Sequence, residues 1–165
     1  MKKIYLLIFS LFTCSSILFA QSSDTTKRAQ SVYFELLGPG GFYSANYDTR
    51  FSKRQDGPGI RVGVSYTSVD QASLFTLPVQ VNYLLGKNGK YFEVGLGATY
   101  ASTRADFFDS TESDEKGSTV FGTMNFGYRR QPIEGGFLFR AGVAPIFHNR
   151  DFIPYWPYLS FGYSF

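Results

Sequence analysis

The sequence predicts an all-β fold, an eight-stranded antiparallel up-and-down transmembrane β-barrel with a packed polar lumen. Three observations lead to this fold class. Apolar and polar residues alternate in eight runs between Ser31 and Phe165, which indicates strands with two different faces. Turn-forming segments separate the runs. The composition, with 18 Phe, 12 Tyr and 17 Gly in 165 residues, opposes helix and favours strand.

The first twenty residues are predicted to be a secretory signal peptide and are excluded from the fold. Two lysines follow Met1, the run 4–12 is almost wholly apolar, and Ala20 is a small residue at the end of the apolar stretch. Cleavage after Ala20 removes 20 of 165 residues and two lysines, so 145 residues with 14 basic and 13 acidic side chains remain. This near-neutral balance gives no reason to expect a nucleic-acid partner. A flexible leader, 21–30, then precedes the barrel, 31–165.

Cys14 lies inside the predicted signal peptide. Lipoprotein signals place small residues directly before the modified cysteine, whereas Phe12 is bulky and the apolar run continues to Ala20. We therefore expect no lipidation. The mature chain would have no cysteine, which excludes disulfide scaffolds, zinc–thiolate sites and thiol nucleophiles. After residue 20 no apolar run approaches the roughly 18 residues of a transmembrane helix, so a membrane location would require a barrel.

The first four predicted strands lie before residue 86. Ser31–Leu37 is short and alternates Val, Phe and Leu with Tyr and Glu. Phe42–Phe51 alternates aromatic residues and alanine with polar residues. Gly59–Ser68 and Leu74–Leu85 alternate mainly aliphatic residues with polar residues and glycine, so each predicts a strand with one apolar face.

The last four predicted strands continue this pattern. Tyr91–Ser102 sets apolar residues against Glu, Gly and Thr, and Ser118–Arg130 sets them against Thr, Asn, Gly and Arg. Phe137–Phe147 contains one charged residue among apolar ones. Pro154–Phe165 ends in a strict alternation of apolar residues with Ser and Gly.

The connections between the runs predict antiparallel neighbours. The separators with clear turn chemistry are Gly38–Gly41, Asp56–Pro58, Gly86–Gly89 and Gly135–Gly136. Asn88–Gly89 is the strongest short hairpin signal among them. Only Thr103–Gly117 is long, so nearly every connection is too short for a crossover helix. Consecutive hairpins form an up-and-down sheet, and closure of that sheet removes its edges.

The polar face of the predicted strands is assigned to the lumen. It carries seven charged residues, Glu35, Asp48, Arg50, Arg61, Glu93, Arg129 and Arg140. It also carries many glycines, namely Gly63, Gly95, Gly97, Gly127, Gly142 and Gly162. Glycine weakens a strand, but a narrow interior needs small residues beside long ones. Buried charges must pair, so the three carboxylates are expected to meet the arginines in pairs that the sequence leaves open. A structural plug is favoured over a gated pore.

Aromatic residues near the run ends predict two girdles around an apolar band. One set consists of Tyr43, Tyr66, Tyr100 and Tyr155. The other set consists of Phe51, Tyr83, Phe92, Tyr128, Phe137 and Tyr163. Tracing the strands alternately up and down places the two sets at opposite rims. Girdles of this kind favour a membrane barrel over a soluble ligand-binding barrel, in which the apolar face is inside.

The final strand is similar to that of small outer-membrane β-barrel proteins of Gram-negative bacteria. It carries apolar residues at two-residue steps up to a terminal aromatic, namely Leu159, Phe161, Tyr163 and Phe165. In that family this end is the signal read by the barrel-assembly machinery. The resemblance covers Ser31–Phe165 and implies an outer-membrane location after export, with outer-membrane lipid and the assembly machinery as partners and a monomeric barrel.

The same resemblance implies an orientation. With both ends of the barrel domain in the periplasm, the long Thr103–Gly117 connection falls on the outer side, as in the family. One departure is that the outer Gly38–Gly41 connection is shorter than the periplasmic Ser52–Pro58 connection, whereas the family has long outer loops.

Two other segments are candidate sites. His148, beside Asn149, Arg150 and Asp151, stands where the family's lipid A acyl-modifying enzymes could place a catalytic histidine, but no motif places a serine nearby. A solvated loop histidine is therefore expected. Tyr155–Tyr158 could line a lipid or glycan pocket, but an interfacial aromatic belt accounts for it more simply.

Neither a nucleotide loop nor a metal site is expected. Gly95–Gly97 lies inside a strand, and Gly38–Gly41 lacks the Lys–Ser/Thr of a phosphate-binding loop. Acidic residues crowd the long connection, namely Asp106, Asp109, Glu112, Asp114 and Glu115. Carboxylates suit calcium, but their spacing matches no calcium loop, and a hydrated surface loop is preferred. We expect no cofactor and no catalysis. The alternatives are a lipid A or phospholipid acyl-modifying enzyme and a narrow porin-like channel.

Overall fold

The computed structural model describes residues 28–69, 72–105, 115–148 and 151–165. The predicted signal peptide with Cys14 and most of the predicted leader lie outside these ranges. Asn149 and Arg150 do as well, and so do the acidic residues of the long connection, with the exception of Glu115. The backbone of Glu115 begins a strand.

Strand segments within the described residues form one antiparallel sheet. They are β1 (Gln30–Leu37), β2 (Tyr43–Arg50), β3 (Gly57–Val69), β4 (Ala72–Lys87), β5 (Lys90–Ala105), β6 (Glu115–Arg130), β7 (Gly136–Val143), β8 (Ile146–His148), β9 (Asp151–Ile153) and β10 (Pro157–Ser164). β7 and β8 pair with β6 in one register and are separated at Ala144–Pro145. A proline has no N–H to donate to the ladder there. β9 and β10 likewise follow one another along the barrel wall, where they pair with β8 and β7. The ten segments therefore form eight barrel strands.

The sheet closes on itself. Each barrel strand pairs with its neighbours in the sequence, and β1 pairs with β10 from Ser31↔Ser164 to Leu37↔Tyr158. Beyond that ladder, the Gln30 amide donates to the Phe165 carbonyl at 3.1 Å, and the Phe165 amide donates back at 2.9 Å. The predicted eight-stranded up-and-down antiparallel barrel is therefore confirmed. None of the described helices is long and apolar enough to cross a membrane.

The two ends of the barrel differ in their connections. The end that holds the start of β1 and the end of β10 carries the turns 51–56, 88–89 and 131–135, and we call it the turn end. The opposite end is the loop end. The Asn88–Gly89 hairpin has φ values of 58° and 74°, as a two-residue turn with both central residues left-handed requires. This hairpin is one that the sequence predicts.

The two faces of the wall invert the usual distribution of polarity. The largest fully buried side chains include Arg50, Arg61, Arg129 and Arg140, each at 0% exposure. In contrast, Val81 and Phe92 are 53% and 50% exposed on the outer face. The core of this molecule is thus a polar lumen, and its apolar side chains face outward.

Both predicted girdles lie on the outer face. Tyr66 and Tyr155, 58% and 81% exposed, lie toward the loop end. Phe51 and Phe137, 53% and 56% exposed, lie at the turn end. The Tyr43 hydroxyl donates to the Tyr66 carbonyl across β2 and β3, which ties two members of the loop-end set together.

Candidate functional site: the charged lumen

The barrel holds all seven charged residues that the sequence assigns to its interior. Glu35 is on β1, Asp48 and Arg50 are on β2, Arg61 is on β3, Glu93 is on β5, Arg129 is on β6 and Arg140 is on β7. Their side chains are at most 1% exposed. Alternation along each strand directs them inward, because successive side chains point to opposite faces of a sheet.

Ion pairs join the seven residues into one continuous chain. Its order is Arg50–Asp48–Arg129–Glu93–Arg140–Glu35–Arg61. Cations and anions alternate, and a cation stands at each end. Four arginines against three carboxylates leave one excess positive charge among these residues.

Glu93 is the centre of the chain. Its carboxylate accepts from Arg140 Nη2 at 2.7 Å and Nε at 2.9 Å, and from Arg129 Nη1 at 3.4 Å. Arg129 and Arg140 are direct neighbours across β6 and β7, where like charges would destabilise the sheet. Glu93 offsets this repulsion because it binds both guanidinium groups.

Glu35 holds the half of the chain nearer the loop end. Its carboxylate accepts from Arg61, from Arg140 Nη1 at 2.9 Å and from the Ser160 hydroxyl at 3.0 Å. The amides of Asn46 and Gln80 supply further acceptors to Arg61, at 2.9–3.3 Å. Each carboxylate oxygen of Glu35 therefore has an arginine partner.

Asp48 holds the half nearer the turn end. Its carboxylate accepts from Arg50 at 2.6 Å, from Arg129 at 2.9 Å and from the Asn82 amide at 2.5 Å. Arg50 also donates to the Asn82 side chain and to the Gly57 carbonyl, at 2.5 and 3.0 Å. Asn82 therefore serves both members of the Arg50–Asp48 pair.

Two tyrosines sandwich the middle of the chain. The Arg140 guanidinium carbon lies 4.5 Å from the Tyr33 ring centroid and 5.1 Å from that of Tyr158, within cation–π range. The Tyr158 hydroxyl occupies the space where a Cβ on Gly127 or Gly142 would stand. These paired glycines make room for the ring. The sequence assigned Tyr158 to an interfacial belt, and that assignment is wrong because Tyr158 is 3% exposed inside the lumen.

The segment Gly38–Gly40 forms a 3₁₀ turn that folds over the lumen at the loop end. All three of its residues are buried. The Thr76 hydroxyl donates to the Gly40 carbonyl at 2.7 Å, and the Thr99 hydroxyl donates to the Pro39 carbonyl at 2.8 Å. The sequence predicted a plain outer turn here. The left-handed φ of 58° at Leu37 and 73° at Gly38 redirects the chain inward instead.

Trp156, between β9 and β10 of the last barrel strand, forms a hydrogen bond to this cap. Its indole N–H donates to the Gly38 carbonyl at 2.9 Å, and the side chain is only partly exposed. Trp156 thus contacts the cap with its indole N–H, whereas Tyr155 is fully outward at 81% exposure. Sequence reasoning missed Thr76, Thr99 and Trp156 as cap residues, and only the Gly-Pro-Gly-Gly run signals an unusual turn.

The lumen has the properties of a plug. Charged groups fill its centre in mutual contact, and the cap lies over one end. Among the described residues, no three His, Cys, Asp or Glu side chains form a group that could hold a metal. The His148 ring lies apart from this network, on β8, with Nδ1 3.1 Å from the Val120 carbonyl and Asp151 as its strand partner.

The predicted C-terminal signal residues lie in one outward row on the last barrel strand. Phe161 and Tyr163 are 39% and 38% exposed, Phe165 is 50% exposed, and Leu159 is half-buried. The Phe161 ring contacts Phe139 of β7 with 5.7 Å between centroids. The row therefore belongs to the apolar outer surface.

A closed eight-stranded antiparallel barrel with an apolar exterior and an ion-paired interior defines the class of small membrane-type barrels. No protein-family model and no curated protein matches the chain. Among solved structures, the fold is similar to the N-terminal β-barrel domain of OprF from Pseudomonas aeruginosa, with a TM-score of 0.59 and 10% identity over 85% of this chain and 98% of that one.

The fold is also similar to Ail, the attachment invasion locus protein of Yersinia pestis. Its complex with the heparin analogue sucrose octasulfate gives a TM-score of 0.52 and 11% identity over 84% of this chain and 99% of that one. The Yersinia pestis outer membrane protein Ail in a phospholipid bilayer nanodisc gives 0.50 and 14% over 84% and 100%. The resemblance to small outer-membrane barrels is thereby confirmed at the level of the fold.

Proposed function

We propose that this protein is a monomeric outer-membrane β-barrel that supports the envelope and displays loops at the surface, without catalysis. The observation that carries the proposal is the inversion of polarity across the wall. Four arginines are at 0% exposure, while apolar side chains around the whole exterior are exposed. An exterior of this kind is suited to lipid and would drive association in water.

A structural role is favoured over conduction by the contents of the lumen. The ion-pair chain crosses the interior, and the Gly38–Gly40 cap lies over it at the loop end. Ions would have to displace paired charges, and removing one partner of a buried pair strands the other. The lumen is therefore a rigid support for the wall, and the loop-end connections are the part offered to the surroundings.

Export through a cleaved signal peptide and delivery by the barrel-assembly machinery complete the proposal. The outward row that ends at Phe165 supports recognition of the final strand, because its side chains are presented on the outer face. The turn end, which holds both ends of the described barrel, then faces the periplasm. The loop end faces outward.

Gel migration tests the architecture, with membrane-extracted protein run before and after heating. We expect the unheated barrel to migrate faster than the heated chain, because the closed barrel stays compact in detergent. Recovery of the folded chain without detergent or lipid would contradict the membrane location. For the role, we expect no stepwise conductance in planar bilayers and unchanged lipid A and phospholipid acylation in a deletion strain. Steady conductance would favour the channel, and altered acylation would favour the enzyme.

A further inference from the structure

Three cations stand side by side on the outer face of the turn end. Lys87 pairs with Lys90 across β4 and β5, and Lys90 pairs with Arg130 across β5 and β6. Residues that pair directly across antiparallel strands share a face of the sheet. Adjacent strands lie about 4.8 Å apart, so the three backbone positions span roughly 10 Å. We call Lys87, Lys90 and Arg130 the basic row.

An apolar row lies two residues above the basic row on the same strands. Leu85 pairs with Phe92, and Phe92 pairs with Tyr128. These side chains are 52%, 50% and 43% exposed and belong to the apolar band. In a membrane, the apolar row would face the hydrocarbon and the basic row would lie at the level of the lipid headgroups.

The basic row has no ion-pair partner within the described residues. The salt bridges found there are luminal, apart from the Arg54–Asp56 pair of the 51–56 turn. All three side chains of the row are exposed. Lysine and arginine extend long stems along apolar surface and place their charge at the water interface. Three unneutralised cations at headgroup depth attract an anion.

The basic row is the densest part of a wider charge asymmetry. The described residues of the turn end carry six exposed basic residues, Arg28, Lys53, Arg54, Lys87, Lys90 and Arg130. They carry two acidic residues, Asp56 and Glu134. In the sequence, the long connection of the opposite end is rich in Asp and Glu. Elsewhere on the outer face of the turn end, exposed aromatic residues such as Phe51 and Phe137 are found.

On the basis of the membrane location proposed above, we propose that the basic row binds the phosphate headgroup of an anionic phospholipid in the leaflet at the turn end. The neighbouring Leu85–Phe92–Tyr128 row packs against the first part of the acyl chains. Charge complementarity selects an anionic headgroup over a zwitterionic one. The apolar row selects a lipid over a soluble phosphate, because only a lipid contacts both rows.

The test compares lipids retained by the purified full-length barrel in native mass spectrometry. The barrel is equilibrated with equal amounts of phosphatidylglycerol and phosphatidylcholine. We expect the wild-type protein to retain phosphatidylglycerol preferentially. The triple variant Lys87→Gln/Lys90→Gln/Arg130→Gln should lose this preference by at least about tenfold, and Lys90→Gln alone by about fivefold, which is the effect of one basic residue near an anionic surface.

The matched control removes the other three cations of the same end, as Arg28→Gln/Lys53→Gln/Arg54→Gln. We expect its preference to stay within about twofold of the wild type, since these residues lie outside the basic row. An equal loss in both triple variants would overturn the site and indicate diffuse attraction only. Displacement of the lipid by inorganic phosphate, beyond that caused by chloride at the same ionic strength, would overturn the lipid assignment in favour of a soluble phosphate.

Failure of this site and failure of the proposed function give different results. A wild-type barrel that inserts into phosphatidylcholine vesicles, shows heat-modifiable migration and has no lipid preference would overturn the site and leave the membrane barrel intact. A wild-type chain that inserts into vesicles of neither lipid would overturn the membrane location and the site together.

Discussion

The inner and outer faces of the barrel wall differ in how their side chains are stabilised, as two adjacent residues of β5 illustrate. Glu93 points inward, is 0% exposed and contacts Arg129, Arg140, Asn82 and Asn125 through hydrogen bonds of 2.7–3.4 Å. Phe92 points outward and is 50% exposed, in a row of other apolar side chains. The inner residue has specific partners, whereas the outer residue needs only an apolar neighbourhood.

This difference shows which face determines the register of the barrel. A slip of one residue would turn Glu93 to the outer face and Phe92 into the lumen, because side chains alternate with a period of two. A slip of two would keep the outer face apolar, but it would separate Glu93 from Arg129 and Arg140. The ion-pair chain therefore distinguishes registers that the apolar face cannot.

The comparison predicts its largest effect at the centre of the chain. Glu93→Leu or Arg140→Leu should lower the free energy of unfolding by roughly 3–5 kcal/mol, because each takes one ion-pair partner away from two buried charges and breaks the chain at its centre. Urea unfolding in detergent or lipid vesicles measures this. The matched control is Phe92→Leu, which keeps an apolar outward side chain and should cost under about 1.5 kcal/mol. Equal effects at Glu93 and Phe92 would refute the asymmetry between the faces.

The outer face predicts a smaller stability effect and a larger cellular one. Deletion of Phe165 removes one aromatic from the turn-end girdle, and a buried Phe side chain contributes ~1.5–3 kcal/mol. If the final strand is also read by the assembly machinery, surface levels in cells should fall far more than stability after refolding in detergent. Phe137→Leu, in the same girdle but outside the final strand, is the control. Normal surface levels of the deletion variant would contradict the assembly role.

A smaller change in the free energy of unfolding is expected at the Gly38–Gly40 cap. Trp156→Phe removes the donor to the Gly38 carbonyl while keeping an aromatic ring, so it should cost about 0.5–1.5 kcal/mol, as for a single hydrogen bond. Bilayer conductance should stay absent, because the ion-pair chain still fills the lumen below. Conductance in Trp156→Phe but not in Tyr155→Phe would instead identify the Gly38–Gly40 turn as the gate of a channel.

The sequence was sufficient to assign faces because alternation is a local property. Glu93 and Phe92 were assigned to opposite faces from the period of two alone, and the Asn88–Gly89 turn specified the pairing of Lys87 with Lys90 across the hairpin. The partners in the ion-pair chain were left open. The Arg129–Arg140 juxtaposition depends on how the 131–135 turn aligns β6 with β7, and residue type alone does not determine this alignment.

The cap was missed for a related reason. The inward fold of the Gly38–Gly40 turn is held by the Thr76 and Thr99 hydroxyls, which donate to its carbonyls and lie 36 and 60 positions away in the chain. A Gly-Pro-Gly-Gly run predicts a turn but not its direction. The interfacial assignment of Tyr158 is wrong because an aromatic residue suits a membrane interface and a lumen lined by glycine equally well.

The smallest predicted effect concerns an ion pair outside both faces, in the 51–56 turn. Arg54 donates to Asp56 at 2.9 Å through two nitrogens, and this hydrogen bonding lowers the pKa of the Asp56 carboxyl below its ordinary value. A carboxyl with a lower pKa in the folded state stabilises the fold above its unfolded pKa. That stabilisation is lost as the pH falls through the folded pKa. The pair is exposed, so salt screens it strongly, and its contribution is small.

Comparison of Asp56→Asn with the wild type isolates this pair, because the lumen is the same in both proteins and its contribution cancels in the difference. At low salt, the wild type should be slightly more stable near neutral pH. The difference should shrink toward zero in acid, and high salt should remove it at every pH. The contribution of a luminal ion pair should instead persist at high salt, since buried charges are screened much less. A difference that grows as the pH falls would contradict the assigned direction of the Asp56 pKa. A salt-independent difference would mean that the turn stabilises the barrel through packing and not through charge.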